Sequence, residues 1–437
     1  MLKVVKFGGS SLADASQFKK VAAIIKAEPE RRYVVPSAPG KRSKTDTKVT
    51  DMLYSCYEMA ARGDDITENF GEIKARYNGI IDELGLDFSL EQDFALIESA
   101  FIHKAGRDFA ASRGEYLNGK ILAKYLGFDF IDAAEVIFFN DNGQFDSERT
   151  NTVLSAELKK HDYAVIPGFY GSMPNDTIKT FSRGGSDITG SIVARAAEAD
   201  IYENWTDVDG FLMADPRIIE NPRVIGEITY RELRELSYMG ATVLHEDAIF
   251  PVRFAGIPIN IRNTNNPEAH GTFIVSQSNK YDTGNVITGV AGKKGFSVLS
   301  IEKDMMNAEV GFGRRVLEVL ENQGICFEHL PSGIDNMSII LNTHEIEGRR
   351  DSIVNGICRS VNPETIDIED GLALVAVVGR AMVKAKGTAA RVFKAISGAG
   401  INIRMIDQGS SEISIIVGVD EADFEEALRA IYQEFVY

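Results

Sequence analysis

Two glycine pairs in this chain are each followed by polar residues and a helical pattern. The first is Lys6-Phe7-Gly8-Gly9-Ser10-Ser11, the second Ser182-Arg183-Gly184-Gly185-Ser186-Asp187. Glycine lets backbone N–H groups come close to a ligand. A helix opening at such a loop presents its positive end. Lys6 adds a compact charge, and Arg183 a two-pronged donor for carboxylate or phosphate. Either loop alone also reads as an ordinary strand-to-helix turn; two in one α/β segment favour an anion site. Asp187 suits a helix cap or a site carboxylate. A third stretch, Trp205-Thr206-Asp207-Val208-Asp209-Gly210 with Asp215-Pro216-Arg217 beyond it, has groups for a ribose, a base edge or a phosphate, though TDVDG alone is also a turn.

Other chemistries lack their residues. There is no GxxxxGK[ST] loop, no GxGxxG after a strand and no GxSxG elbow. The six histidines show no HxxxH or HxH spacing, and His245 reads as structural. A catalytic triad or a zinc site is not expected.

The elements that must position these groups follow from the apolar pattern. Leu2–Phe7 reads as a strand, 16–26 as a helix, and Tyr33–Val35 as a second strand ending at Pro36-Ser37-Ala38-Pro39-Gly40. Residues 40–51 are polar and basic and read as a mobile loop. A mostly helical stretch spans about 52–126. Strands return at 128–131, 163–167 and 201–206, with helices at 149–160 and 186–199; the helix of the second glycine loop runs from Ile188 to Glu198. Residues 1–275 are therefore expected to form one α/β domain with a helical insertion.

The remainder repeats itself. A shift of 76 residues places Met306 on Met382, Val316 on Val392, Gly324-Ile325 on Gly400-Ile401 and Ser338-Ile339-Ile340 on Ser414-Ile415-Ile416. Each copy reads as a βαββαβ unit, expected at 290–368 and 369–437. Such a pair suits a regulatory or dimerising module.

Composition narrows the class. With 47 Lys+Arg against 64 Asp+Glu, the formal net charge is −17, which argues against a nucleic-acid binder. Any anion site must then be built locally from a few cations and backbone N–H groups. Cys56, Cys326 and Cys358 are too scattered for a disulfide framework and read as small buried hydrophobes in a reduced, cytoplasmic setting. The N-terminus lacks a signal-peptide pattern, and no apolar run is long enough to span a membrane.

KFGGSS, SRGGSD, WTDVDG…DPR and Gly240-Ala241-Thr242-Val243-Leu244-His245-Glu246, in this order and before a duplicated tail, resemble the aspartate kinases. The resemblance covers essentially the whole chain. It implies the amino acid kinase fold, a largely parallel sheet between helices, followed by two ACT domains. It implies ATP-dependent phosphorylation of the side-chain carboxylate of L-aspartate, with Mg²⁺ on the nucleotide. A carboxylate is already ionised at neutral pH, so no general base is needed. Catalysis would rest on positioning and charge stabilisation, with Lys6 as the leading cation, assisted by Gly8, Gly9 and Ser10.

By the same resemblance, substrate aspartate would meet Thr50, Glu115 and Arg183, with Glu115 taking the ammonium and Arg183 a carboxylate. Asp187 would orient Lys6 or the substrate. The nucleotide would lie along Thr206, Asp207, Leu212, Arg217 and Thr242. The chain departs from the family at Thr242, where many members carry Lys, and at Leu212, often Tyr. The tail implies feedback inhibition by an amino acid, lysine preferred, at Met306, Glu309, Gly311, Phe312, Glu328, Asp335 and Ser338. It also implies a homodimer through the ACT domains, or a tetramer of such dimers. Length leaves no room for a fused homoserine dehydrogenase. Two alternatives stay open: another amino acid kinase with a different acceptor, and a non-catalytic amino acid sensor.

Overall fold

The computed structural model describes residues 1–182, 184–241, 248–278 and 286–437. Two compact units emerge. One holds Met1–Phe211, Val224–Tyr230 and Val243–Ser278; the other holds Leu212–Arg223, Arg231–Thr242 and Asn279–Tyr437. Among the described residues no helix is long and apolar enough to cross a membrane.

The first unit is built on strands β1 (Lys3–Phe7), β2 (Arg31–Pro36), β3 (Asp129–Phe130), β4 (Ala164–Val165), β5 (Tyr170–Ser172), β6 (Ile178–Thr180), β7 (Ile201–Thr206), β8 (Glu227–Thr229), β9 (Ile259–Asn263) and β10 (Thr272–Val275). Eight of them form one sheet in the order β3-β4-β2-β1-β7-β9-β10-β8. All neighbours are parallel except β9 and β10. Val4, Val5 and Phe7 of the central β1 are wholly buried, as an apolar run covered on both faces requires. The register sets Lys6 beside Val35 on one side and Asn204 on the other. The separate β5–β6 hairpin escapes sequence reading, because three-residue strands carry too little period-2 signal.

Helix α1 (Ala15–Ala27) is capped by Asp14, which accepts the Gln17 N–H at 3.0 Å. A helical layer follows: α2 (Val49–Arg62), α3 (Thr67–Leu84), α4 (Glu91–Ile102) and α5 (Arg107–Leu126). Their apolar faces share one core with α1 and β1, through Phe18, Leu53, Phe70, Tyr77 and Leu117. The segment read as a mobile loop is in fact held down. The buried guanidinium of Arg76 donates to the carbonyls of Thr47 (2.9 Å) and Gly40, and meets Asp46 at 3.1 Å. Thr50 then lies on the first turn of α2, not in a loop.

Shorter helices complete this unit: α6 (Ala133–Val136), α7 (Ser147–Leu158), α8 (Gly185–Ala196) and α10 (Phe250–Ala255), while α9 (Tyr230–Tyr238) belongs almost wholly to the second unit. Helix α8 starts at Gly185, earlier than the expected Ile188, so Asp187 falls in its first turn.

Toward the start of the parallel strands lies a buried charge cluster. Glu203 of β7 is 1% exposed. It accepts from Arg31 Nε (2.8 Å) and Trp205 Nε1 (2.9 Å) and pairs with Lys3 Nζ at 3.1 Å. Burial pushes the Glu203 carboxyl up, but Arg31 and Lys3 outweigh it and hold it below the ordinary value.

The second unit carries the repeat. Its strands are β11 (Gly289–Glu302), β12 (Asn336–Asn342), β13 (Thr365–Val378), β14 (Met405–Asp407) and β15 (Ser414–Asp420). Its helices are α11 (Phe312–Glu321), α12 (Thr343–Ile346), α13 (Arg350–Val361), α14 (Thr388–Gly398) and α15 (Phe424–Val436). The strands make one sheet, β12-β11-β13-β15-β14. The repeat positions match in kind: Met306 and Met382 sit in short 3-10 turns, and Val316 and Val392 are buried in equivalent helices. The copies are not simply consecutive. β13 runs unbroken through 368 and 369, serving both copies. The start of β11, residues 289–293, pairs with 374–378 and so gives the second copy a strand from ahead of the first. The first copy's strand after Gly324-Ile325 is reduced to two isolated bridges around Pro331, which has no N–H for a ladder.

Cys56 is buried, but Cys326 and Cys358 are exposed, against expectation. Cys358 lies on α13, whose core-facing positions are Ile353, Ile357 and Val361.

Candidate active site

Lys6 is the fourth residue of β1, at the carboxyl end of the parallel strands, where open α/β sheets hold their ligands. The side chain is 7% exposed. Its Nζ lies 2.6 Å from Asp187 Oδ1. The same oxygen accepts from Asn204 Nδ2 at 2.8 Å, and the Tyr202 hydroxyl donates to the Asp187 carbonyl at 3.1 Å. Gly190 makes room for that ring: a Cβ there would lie 2.4 Å from the Tyr202 hydroxyl. Strands β1 and β7 and helix α8 thus aim one ammonium group. Sequence reading missed Asn204 and Tyr202, which stand beside Lys6 only through strand pairing.

The first glycine pair does more packing than expected. The Gly8 N–H, counted from sequence as a ligand donor, is engaged with the Trp205 carbonyl at 3.0 Å. Gly9 crosses the loop after β2 backbone to backbone. A Cβ on Gly9 would lie 2.9 Å from the Ala38 carbonyl oxygen, and one on Gly40 only 2.5 Å from the Gly9 carbonyl carbon. Ser10 is exposed on the 3-10 turn Gly9–Leu12, which precedes α1.

Helix α5 supplies the other wall. Gly114 permits its close approach, since a Cβ there would lie 2.8 Å from Ala38 Cβ and 3.8 Å from Thr50 Oγ1. Glu115 follows, 5% exposed, with its Oε2 buried and without a hydrogen-bond partner. Burial raises its carboxyl to about 8; the Ala38 N–H, Lys6 and Arg113 offset only part of that. Asn118, one turn on and wholly buried, donates from Nδ2 to the Ser37 carbonyl at 2.7 Å. Sequence reading missed it too. Its spacing of three from Glu115, on the same helix face, is the signal that could have found it.

Thr206 ends β7 and donates to Asp207 Oδ1 at 3.2 Å; Asp207 is exposed. Arg183 and Thr242 lie outside the described residues. Ser182 lines a pocket of about 420 Å³ beside Tyr54, Phe169 and Lys179. Leu212 and Arg217 belong to the second unit, where Arg217 is 84% exposed and clasps Asp215 at 2.5 Å.

The effector candidates also lie in the second unit. Gly311 caps α11 at φ 80°, and Met306 and Phe312 are buried. Glu309 is paired with Lys303 (2.6 Å) and Arg315, which hold its carboxyl below the ordinary value, Lys303 foremost. Asp335 accepts the Met305 N–H at 2.8 Å, and Glu328 accepts the Tyr238 hydroxyl. Ser338 donates its backbone N–H to Pro331 at 2.8 Å. These carboxylates thus have partners of their own. Among the described residues no group of three or more His, Cys, Asp or Glu side chains is placed to hold a metal.

Known proteins bear on this geometry. Residues 1–263 match the amino acid kinase family, and residues 375–435 match an ACT domain. The chain is 43% identical to aspartokinase 3 of Bacillus subtilis, covering 99% of this chain and 98% of that protein. A solved structure of Clostridium acetobutylicum aspartate kinase is 52% identical, with a TM-score of 0.90 over 99% of both chains. E. coli aspartokinase III in complex with lysine and aspartate, in its T-state, is 25% identical with a TM-score of 0.69 over 100% of both chains. The chain belongs to the amino acid kinase family, in its aspartate kinase branch.

Proposed function

We propose that the first unit transfers the γ-phosphoryl group of ATP to the side-chain carboxylate of L-aspartate, forming 4-phospho-L-aspartate, the first step toward lysine, threonine and methionine. The observation that carries the residue assignment is the buried Lys6–Asp187 pair at the carboxyl end of the sheet, facing a helix that bears Glu115. The attacking carboxylate needs no base. Lys6 stabilises the negative charge on the transferred group, and Asp187 and Asn204 hold it in place. Glu115 receives the substrate ammonium, Arg183 one carboxylate, and Thr50 stands across from Gly114 at the same wall. Thr206 at the end of β7 and Asp207 after it take the nucleotide side, with the loop of Gly8, Gly9 and Ser10 under the phosphates.

With no group of three protein ligands among the described residues, Mg²⁺ fits as an ion carried mainly by the nucleotide, with exposed Asp207 as a hard oxygen donor. When bound, Mg²⁺ supplies charge neutralisation across the phosphates.

The second unit is read as the sensor for lysine, with Gly311 and Phe312 at the start of α11 receiving its carboxylate. The lysine complex of the E. coli relative supports that choice, as does the repeat that forms a continuous sheet. The protein is read as a cytoplasmic homodimer through this unit, or a tetramer of dimers. ADP release with aspartate, glutamate and UMP as acceptors tests the activity, and aspartate alone is expected to support turnover. Initial rates at subsaturating aspartate should fall with millimolar lysine. Rates unmoved by lysine, or moved only by threonine, would overturn the effector.

A further inference from the structure

Two buried acceptors on one face of α5 lack partners: Glu115 Oε2 and Asn118 Oδ1. They stand at i and i+3, so their Cβ atoms are about 5–6 Å apart. Both side chains pack on the same short segment after β2. Asn118 Nδ2 holds the Ser37 carbonyl at 2.7 Å, and the Ala38 N–H favours the charged form of Glu115. Ser37 is also fixed by its N–H to the Phe7 carbonyl at 3.0 Å. The Asn118 amide is thus pinned by its donor end, with its acceptor end left unmatched. A buried acceptor is costly to leave unmatched. That cost is reasonable where a ligand donor completes the bond.

The missing donor has a definite chemistry. A primary ammonium group carries three N–H bonds and one positive charge. One carboxylate and one neutral oxygen satisfy it without placing a second negative charge beside the substrate's own carboxylates. The neighbouring unmatched atom, Arg113 Nη2, is itself a donor, and its guanidinium is stacked on Tyr116 at 4.4 Å and Phe109 at 4.6 Å, so it cannot serve. We propose that Asn118 Oδ1 is a second acceptor for the α-ammonium of the amino acid substrate, and that Asn118 with Glu115 makes the enzyme select an amino-dicarboxylate over a plain dicarboxylate. This rests on the reading of Glu115 given above.

The test is the dissociation constant of L-aspartate and of succinate, which lacks only the amino group, measured by calorimetry on the full chain with MgADP. Wild type, Asn118→Ala, Asn118→Ser and Glu115→Gln are compared, with thermal melting as the fold control. Asn118→Ala should weaken aspartate about tenfold and succinate less than about twofold. Asn118→Ser, smaller and still polar, provides the same comparison if the alanine variant melts early. Equal losses for both ligands, or none, overturn the proposal, because Asn118 would then act only by holding Ser37. Glu115→Gln separates the two readings. If it leaves aspartate affinity unchanged, the ammonium reading of Glu115 fails by itself, whatever Asn118 does.

Discussion

The parallel sheet carries two buried charge clusters at opposite ends of the same strands, and they solve burial differently. At the amino end, both oxygens of Glu203 have cationic partners, in Arg31 and Lys3. Its carboxyl is held below the ordinary value despite being 1% exposed. At the carboxyl end, Glu115 is almost as buried, yet its Oε2 has no partner and its carboxyl is pushed up to about 8. Burial alone therefore does not decide the charge of a carboxylate. What decides it is whether the protein completes the partner shell or leaves a position for a ligand.

Breaking the amino-end cluster has the largest expected effect. Arg31→Met leaves Glu203 buried and only partly compensated, and should cost about 3–5 kcal/mol, read from urea unfolding midpoints. The folded fraction should keep its aspartate KM. An unchanged midpoint would erase the contrast between the clusters.

Next comes Lys6→Met. The turnover rate should fall about 10²–10³-fold with the fold retained, because Asp187 keeps its Asn204 contact and is partly exposed. A rate within a few fold of wild type removes Lys6 from its assigned role.

The third prediction sets the two glutamates against each other by pH. Glu115, raised in the folded state, contributes stability at low pH that is lost as pH rises from its ordinary value of 4.5 toward about 8. Glu203, lowered, contributes stability above its ordinary value of 4.5 that is lost as pH falls through its folded value. Glu115→Gln should therefore flatten the alkaline side of the melting-temperature profile, and Glu203→Gln the acid side. Aspartate KM should fall as pH rises through about 8 in wild type and stay flat in Glu115→Gln. Matching slopes for the two variants would refute the assignment.

Arg217→Ala should do least. The side chain is 84% exposed and already clasped by Asp215, so melting should not move measurably. ATP KM should rise by no more than about threefold, since exposed ion pairs contribute little. A larger rise would give Arg217 a phosphate contact beyond what its exposure suggests.

Much of this was legible from residue order. Lys6, both glycine loops, the helical stretch after them and the offset of 76 are local or periodic signals, and local rules read them. The start of α8 at Gly185 rather than Ile188 is not legible in sequence, because a helix N-terminus is blurred by capping residues. The exposure of Cys358 on α13 is not legible in sequence, because a thiol's burial depends on which helix face it lands on, and that of Cys326 depends on how the segment after α11 packs.

Sequence by itself determined the class of the protein: strand, glycine loop and helix in the order an anion site needs, a duplicated tail, and a motif order that resembles the aspartate kinases, from which a carboxylate acceptor needing no base was only implied. Tertiary structure alone decided which buried polar atoms are answered. Glu203 and Glu115 are the same residue type and both buried, and only the tertiary arrangement brings Arg31 to one and leaves Oε2 of the other without a partner. The same holds for β11 and β13, shared between both repeats. Sharing is a property of hydrogen-bond ladders between residues far apart in the chain, as with Gly289 and Val378, 89 positions apart, and no local pattern encodes it.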